Sequence, residues 1–362
     1  MNTCKSCIFK DIPSYNWPES STFAVLGLNC KMKQILVIHL FLAASVVCHQ
    51  YFFSAKWVIW KTQNQKVYSS FHEELERHII WLSNQEYIDA YNKIAHIVGF
   101  NLSMNEYGDL SDYEFRNNYQ CALSPIYRPL FNCTRKIYQR SKNLTLPQSV
   151  DWRSMGAVSS VKSQGYCCSS YAFGALGTLE GVHALASGKL VELSAQNIID
   201  CSRVYGNRGC QKGSVEYSYY YIIDNNGVDT KRSYPYRGKQ KACHFKQKNI
   251  GAKMRYFLQV EEGNEKDLEA AVAMQGPISV VVDASHNIFR FYKSGILNIP
   301  NCSSSKVTQA LTLIGYGSNN GQKYWLVKNS WGKNWGLRGY ALLSRGKYNQ
   351  CGIASYATFP SI

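Results

Sequence analysis

Residues Gln164 to Phe173 read Gln-Gly-Tyr-Cys-Cys-Ser-Ser-Tyr-Ala-Phe and set two thiols and two hydroxyls ahead of an apolar run. Ala172, Phe173, Leu176, Leu179, Val182 and Leu185 come next at helical spacing, and Gly188 supplies a stop. The spacing therefore predicts a helix opened by Ser169 or Ser170. A serine at that place has two readings. One is an ordinary N-cap, whose oxygen accepts a free backbone N–H. The other is a nucleophile, because a helix N-terminus also supplies partial positive charge and N–H groups that would stabilise an oxyanion.

The elements needed to position such a group are present. The chain has 362 residues, 45% hydrophobic and 18% charged, long enough for one large domain with accessory segments or for two domains. That composition excludes a wholly disordered, collagen-like or multi-span membrane chain. Residues 66–98 carry Phe71, Leu75, Ile79, Leu82, Tyr87, Ile88 and Tyr91 at intervals of mostly three and four, which predicts one long amphipathic helix. From Cys121 to Leu146 the text turns to Pro, Asn, Ser, Thr, Arg and Lys, as expected of an exposed, easily cleaved linker. Beyond it the chain is first helix-rich, then strand-like over Ile278 to Val282, Leu311 to Tyr316 and Tyr324 to Lys328.

Lys31 and Lys33 followed by the apolar run Ile35 to Val47, with Ala43, Ala44 and Ser45 near a cut, read as a secretory signal. The run is too short to span a bilayer, and no membrane span is expected. Residues 1–31 precede that signal as an unstructured or non-native extension, with Met32 the expected start. Their Cys4 and Cys7 form a lone CxxC without a second pair at zinc spacing, so neither a metal nor a cofactor is expected. Thirteen cysteines and the sequons at Asn101, Asn132, Asn143 and Asn301 suit a glycosylated chain in an oxidising compartment.

Forty Lys and Arg against 24 Asp and Glu leave a net charge of +16, which attracts anions in general. From Leu146 onward the count is 25 against 13. Solubility is the plainer reading of that excess, and no nucleic-acid-binding motif accompanies it. Tyr217, Tyr219, Tyr220 and Tyr221 cluster in an expected helix, read as half core and half surface, and Ser303 to Ser305 form a short serine run; exposed hydroxyls of this kind would hydrogen-bond a hydroxyl-bearing partner.

The segment Gln-Gly-x-Cys-x-Ser-[nucleophile]-aromatic-Ala-Phe resembles the active-site text of papain-like peptidases, and the resemblance extends over most of the chain. Glu73, Arg77, Trp81, Asn84, Ile88 and Asn92 match the interrupted helical motif of cathepsin L-type propeptides, and Asn105 and Asp109 match the segment next to it, with Ser103 and Tyr107 where Gly and Phe are usual. Pro147 to Trp152, Ser194 to Cys201, Gly276 to Val280, Tyr324 to Gly332 and Cys351 to Ser355 look like the body of that family. The family's nucleophile is a cysteine followed by tryptophan, whereas this chain has Ser170 followed by Tyr171. Ser-Tyr-Ala-Phe at this place is similar to the silicateins, cathepsin L-like proteins of sponge siliceous spicules, as are the stretches Ser233 to Gln240, Phe289 to Tyr292 and Tyr348 to Gly352.

The resemblance implies an α+β, two-lobed papain-like fold, helical lobe plus β-barrel-like lobe, behind an N-terminal helical inhibitor prosegment. The implied order is a signal over 32–50, a prosegment over 51–120, a linker over 121–145 and a body over 146–362. It also implies the site residues. Ser170 stands for the nucleophile, Gln164 and the Ser170 N–H for the oxyanion donors, and Asn329 and Trp331 for the groups that orient and shield the family's histidine. Where that histidine is expected the chain reads Thr308-Gln309-Ala310. An amide does not titrate near neutral pH, so Gln309 can orient a water or a hydroxyl but cannot act as a general base. Serine, unlike cysteine, has no ionised fraction to fall back on, and His183, His244 and His286, the histidines of the body, lie away from the motif.

By resemblance the disulfides are Cys167 with Cys210, Cys201 with Cys243, and Cys302 with Cys351. That leaves Cys168, in place of the usual glycine, as an odd thiol lining the cleft, with swapped pairing to Cys210 open and a shifted thiol nucleophile the alternative. Lys212 and Gly213 replace the end of the Cys-Asn-Gly-Gly cleft segment, where the lysine either crowds a peptide and offers a cation to an anion, or points to solvent. The expectation is a secreted protein, reached through lysosome-like vesicles or directly, without peptidase activity and directing or incorporated in biosilica. Its expected partners are silicic acid or polysilicate, its own prosegment, and cystatin-like inhibitors or related silicateins. A peptide-binding pseudopeptidase and a residual cysteine-type endopeptidase are the alternatives.

Overall fold

The computed structural model describes residues 53–119, 121–122, 135–141 and 143–362. The signal segment, residues 1–31 with their CxxC, and the sequon at Asn132 lie outside them. Two compact units are distinguished, one ending at Lys66 and one running from Val67 to Ile362. In the first, helix α1 (Ala55–Gln63) starts at Ser54, whose side chain accepts the Trp57 N–H at 3.2 Å, and stacks Trp57 on Trp60 with centroids 5.2 Å apart.

In the second unit, helix α2 (Phe71–Asn92) opens at Ser70, whose hydroxyl accepts the Glu73 N–H at 3.1 Å, while the Glu73 carboxylate reaches back to the Ser69 N–H at 2.7 Å. This is a reciprocal cap that fixes where the helix starts. The single helix expected over 66–98 is corrected: α2 stops at Asn92, and a separate turn, α3 (Ala95–Val98), ends at Gly99, left-handed at φ 84°. The reason lies in Asn92, whose amide donates to the Leu102 carbonyl and accepts the Leu102 N–H, both at 2.9 Å, and so ties the helix end to strand β1 (Phe100–Leu102). The buried stripe is also not the apolar series of the sequence. Glu74, His78, Trp81, Asn84 and Ile88 face inward, whereas Phe71, Ile79, Leu82 and Tyr87 are exposed.

The polar members of the propeptide motif each hold a loop. Asn84 donates to the carbonyls of Gly108 and Leu110 at 2.8 and 3.1 Å, and Arg77 grips Glu114 at 2.7 Å and the Asp109 carbonyl at 3.2 Å. Together they seat helix α4 (Asp112–Tyr119).

The remaining strands are β2 (Arg135–Ile137), β3 (Val150–Asp151), β4 (Val228–Asp229), β5 (Ile250–Ala252), β6 (Tyr256–Gln259), β7 (Ile278–Val282), β8 (Tyr292–Leu297), β9 (Gln309–Asn319), β10 (Gln322–Lys328), β11 (Tyr340–Ser344) and β12 (Thr358–Ser361). They form one sheet in the order β1-β8-β11-β10-β9-β7-β12-β6-β2, with β3 also on β9 and β4 paired with β5 apart from it. The prosegment supplies β1 at one edge, Phe100 opposite Gly295. At the other edge β2 runs parallel to β6, Arg135 opposite Phe257. Both ends of the body's sheet are thus extended by chain that precedes it, so the edge strands are two segments of only 3 residues each, too short to template further pairing. The exposed linker expected over 121–145 is corrected on this point, since its residues 135–137 are a sheet strand.

Helices α5 (Ser170–Ser187), α6 (Ala195–Cys201) and α7 (Val215–Asp224) build the other lobe. Its core contains Leu176, Leu179, Ile198, Ile199, Tyr219 and Ile222. The half-core, half-surface reading of the tyrosines does not hold, because Tyr217, Tyr219, Tyr220 and Tyr221 are all buried. α7 packs against α5, α6, β6 and β12, so it has no solvent face there. Tyr219 and Tyr220 lie on Phe257 at 5.4 and 5.5 Å, and Tyr221 takes a hydrogen bond from Asn197 at 2.9 Å. Two further helices, α8 (Glu265–Gln275) and α9 (Asn287–Arg290), accompany the sheet.

The sheet lobe's core runs from Val280, Leu313 and Trp325 into the prosegment residues Ile88, Phe100, Tyr107, Phe115 and Tyr119. Each large side chain buried this way stabilises the docked state by roughly 1.5–3 kcal/mol. One body residue, Arg290, is fully buried beneath it, donating to the carbonyls of Tyr107 and of Leu110 (2.6 Å), with its guanidinium over the Phe115 and Phe291 rings. Burial pushes it down to about 10, against the opposing pull of Asp112, so it remains charged at neutral pH.

Acid should loosen the prosegment. Burial raises the Glu114 carboxyl, but hydrogen bonds from the Ser111 N–H and from Arg77 outweigh it and hold the group below its ordinary value of 4.5. A depressed folded value means the contribution is complete above that ordinary value and lost as pH falls through the folded one. The protection factors of amides over residues 71–119, which correct for the intrinsic slowing of exchange in acid, are expected to fall below about pH 4.5, and less so in Glu114→Gln, which lacks the titrating group.

Candidate functional site

Ser170 is the first residue of α5, fully buried, and its hydroxyl accepts the Ala310 N–H at 3.3 Å. Ser169 occupies the N-cap position but makes no side-chain cap; its hydroxyl meets the Tyr236 hydroxyl at 3.0 Å instead. α5 packs along β9 and β7, and a Cβ at Gly177 would come within 2.4 Å of Thr312 Oγ1, so the glycine permits the approach that brings Ser170 beside residues 309 and 310.

Gln309 opens β9 and is fully buried. Its amide nitrogen donates to Asn329 Oδ1 at 3.0 Å and to Gln164 Oε1 at 3.3 Å, with Ser330 Oγ at 3.5 Å. Ser330 in turn donates to Gln164 Oε1 at 2.8 Å. The structure thus links Gln164, Gln309 and Asn329 in one buried hydrogen-bond network, with Ser330 as a member the sequence reading did not name, and ties Ser170 to it only through the backbone N–H of Ala310, the residue after Gln309. Gln309 Oε1 and Asn329 Nδ2 have no hydrogen-bond partner. In this cluster the Gln309 amide hydrogens go to carbonyl oxygens, and the proton of Ser170 has no titratable acceptor among these residues.

Trp331 is fully buried beside the cluster, with Tyr107, Phe115 and Phe289 edge-on to it at 5.5–5.7 Å. Prosegment and body rings therefore meet on it. Lys212 is half-buried, its carbonyl accepting from Arg208 N–H at 2.8 Å. Gly213 is buried, and a Cβ there would meet Asn207 Oδ1 at 2.5 Å and the Tyr171 ring at 2.8 Å.

The cleft between these residues is filled. Cys121 and Ala122 both donate their N–H to the Thr308 carbonyl at 2.9 Å, and Gly213 donates to the Cys121 carbonyl at 3.1 Å, with Ala122 in a parallel bridge to Gly213. The amide of Gln164, expected to face an oxyanion, donates to Cys121 Sγ at 3.4 Å.

Among the described residues the disulfides are Cys167–Cys210, Cys201–Cys243, Cys302–Cys351 and a fourth, Cys121–Cys168. The odd-thiol reading of Cys168 is corrected: the thiol is spent on the prosegment, because residues 121–122 pair with the cleft wall at the point where Cys168 lines it. A signal was present in the odd number of body cysteines beside a cysteine at the end of the prosegment.

Behind the cluster lies a cavity of about 190 Å³ lined by Lys162, Phe173, Glu180, Lys231, Lys328 and Asn329 among others. Lys328 is buried and donates to the Ser159 carbonyl and hydroxyl at 3.0 and 2.9 Å; desolvation lowers its pKa. Lys162, paired with Glu192, is pushed down to about 8, by burial first and then by the nearby Lys231. Among the described residues no group of three or more His, Cys, Asp or Glu is placed to hold a metal, and no helix is long and apolar enough to cross a membrane.

A helix start facing a sheet strand across a cleft filled by residues 121–122, in extended pairing behind an N-terminal helical segment, defines an inhibitor-bound papain-type proform. The comparisons agree: residues 146–361 match the papain family of cysteine proteases and residues 57–115 the cathepsin propeptide inhibitor domain, so the chain belongs to the papain family. It is 47% identical over 322 residues to a silicatein of Petrosia ficiformis, covering 86% of this chain and 94% of that one. It is 41% identical over 313 residues to cathepsin L of Sarcophaga peregrina, covering 85% and 92%. The solved structure of the digestive procathepsin L2 proteinase from Tenebrio molitor larval midgut superposes with a TM-score of 0.80 at 33% identity, over 85% of this chain and 99% of that one.

Two substitutions test this packing. Gly213→Ala should cost about 1–3 kcal/mol through overpacking against Tyr171 and Asn207, read as a lowered Tm. Arg290→Met, which removes the charged donor to Tyr107 and Leu110, should weaken prosegment docking by about 1.5–3 kcal/mol, read as faster amide exchange in residues 105–119 with residues 170–187 unchanged.

Proposed function

We propose that this is a silicatein-like protein without peptidase activity, which directs or is incorporated in biosilica. The observation that carries the reading is the amide cluster around Ser170. Gln309 stands where the family's imidazole is expected and is committed to Asn329 and Gln164, so Ser170 has no base and cannot be activated as a nucleophile. The 47% identity to a silicatein supports the same reading. In it, Ser170, Gln309, Asn329 and Gln164 hydrogen-bond silicic acid in the cleft once the prosegment has left, with neutral donors and acceptors matched to silanol groups. The basic body gathers polysilicate from solution. The four disulfides and the sequons support an oxidising compartment, secreted or lysosome-like.

A second reading is favoured by the backbone pairing of residues 121–122 with Gly213 and Thr308: a groove that still accepts extended chain is suited to a peptide- or inhibitor-binding pseudopeptidase. Tight binding of a cystatin-like inhibitor to the open body, without any effect on silica, would favour it.

The test compares the body, cut and then freed of its prosegment under a thiol reductant, with its Ser170→Cys/Gln309→His variant on a fluorogenic dipeptide and on silica formation from silicic acid. The wild-type body is expected to be silent on peptide and to form silica. The double variant should gain at least ~10²-fold in peptide hydrolysis, the scale of a restored general base. Hydrolysis by the wild-type body at a comparable rate would overturn the reading, and silica formation unchanged in Ser170→Ala would move it from the cleft to the surface.

A further inference from the structure

We propose that Cys121–Cys168 is a thiol–disulfide exchange site that controls opening of the cleft. Cutting the chain after Cys121 leaves the prosegment covalently attached, and a thiol reductant is needed to release it.

Of the four disulfides among the described residues, three join residues within 167–351, inside the segment that matches the papain body. Cys121–Cys168 alone among them reaches a residue ahead of that segment. A cut between Ala122 and Asn132 therefore separates two chains that, among the disulfides of the described residues, this bond joins. The bond lies in the cleft itself, two residues before Ser170, and both sulfurs are buried, Cys121 at 0% and Cys168 at 4% exposure. Around it the non-covalent contacts converge: Cys121 and Ala122 on the Thr308 carbonyl, Gly213 on the Cys121 carbonyl, and Gln164 Nε2 on Cys121 Sγ at 3.4 Å.

While the bond is closed, the prosegment's high local concentration keeps these contacts made whatever the protein concentration, because rebinding is intramolecular. The surroundings of the bond also set the direction of exchange. Gln164 donates an N–H to Cys121 Sγ, which favours negative charge on that sulfur, so Cys121 is the better leaving group and the incoming thiolate bonds to Cys168. A dithiol then completes the reaction: its second thiolate displaces Cys168, the dithiol closes to a disulfide, and two electrons and two protons pass to Cys121 and Cys168 as thiols. Because both cysteines are buried, Cys121 and Ala122 must lift before the reductant reaches the bond, and a cut nearby makes that lifting easier. The inference does not depend on the silica reading.

The experiment uses the full chain with a site-specific protease sequence inserted after Tyr127. After cutting, a non-reducing denaturing gel should show one species of full mass, which dithiothreitol resolves into two fragments. Under native conditions the oxidised, cut protein should retain its prosegment through a roughly thousandfold dilution, whereas reduced protein loses it. Cys121→Ser should come apart without reductant. Peptide mapping of the non-reduced wild type, which needs no variant to fold, should recover Cys121 joined to Cys168. Cys168 joined instead to Cys210 or Cys133, two fragments without reductant, or a prosegment that stays bound at high dilution after reduction would each overturn the proposal.

Discussion

The seating of residues 121–122 in the cleft governs the rest of the molecule. There the chain that precedes the body pairs its backbone with Thr308 on one wall and Gly213 on the other, and a covalent bond to Cys168 pins it. Backbone groups buried in a cleft need partners, and in this proform each wall finds them in the prosegment. The same segment then sets what lies above and below. Tyr107, Phe115 and Tyr119 complete the aromatic packing on Trp331, Arg290 is buried under their loop, and strands β1 and β2 extend the sheet at its two ends. Prosegment and body are packed as one core, so the inhibitor is as much a part of this fold as a ligand of it.

The chemistry of the cluster stems from a single difference in side-chain type. An imidazole between Asn329 and residue 170 would carry a proton between them; an amide offers two hydrogens and one acceptor, none of which titrates. Gln309 accordingly joins Asn329 and Gln164 into a hydrogen-bonded chain that leaves its own carbonyl oxygen and the Asn329 amide nitrogen without partners. Unpartnered polar atoms inside a protein carry a free-energy cost of about 1–3 kcal/mol each. A small polyhydroxyl molecule such as silicic acid could satisfy both, which is the physical attraction of the proposed function. The cavity behind the cluster adds three lysines whose charge is only partly offset by Glu180 and Glu192.

Much of the fold was legible in the order of residues, and the reasons are local. The helix after Ser169 is written in apolar spacing and a terminal glycine, and the strands at 278–282 and 324–328 in continuous apolar text. The propeptide motif could be aligned but not explained from sequence, since Asn84, Asn92 and Arg77 act on carbonyls and carboxylates distant in the chain. The same limit explains the misplaced face of α2. Apolar periodicity names a stripe, but burial of Glu74, His78 and Asn84 in place of Ile79 and Leu82 reflects what the helix is packed against. The tyrosines of α7 failed for the related reason that a helix enclosed on all sides has no polar face to keep.

Residue type and order along the chain were enough to establish the kind of protein and which residues stand at two of its positions: a papain-family proform, with a serine at the helix start and a glutamine opening the facing strand. Which groups touch was settled by folding in three dimensions. Folding turned Gln164 toward a sulfur, recruited Ser330, buried Arg290 and joined Cys121 to Cys168 across 47 residues. Pairing of that kind is set by the distance and direction between side chains in the folded state, and no spacing along the chain encodes it.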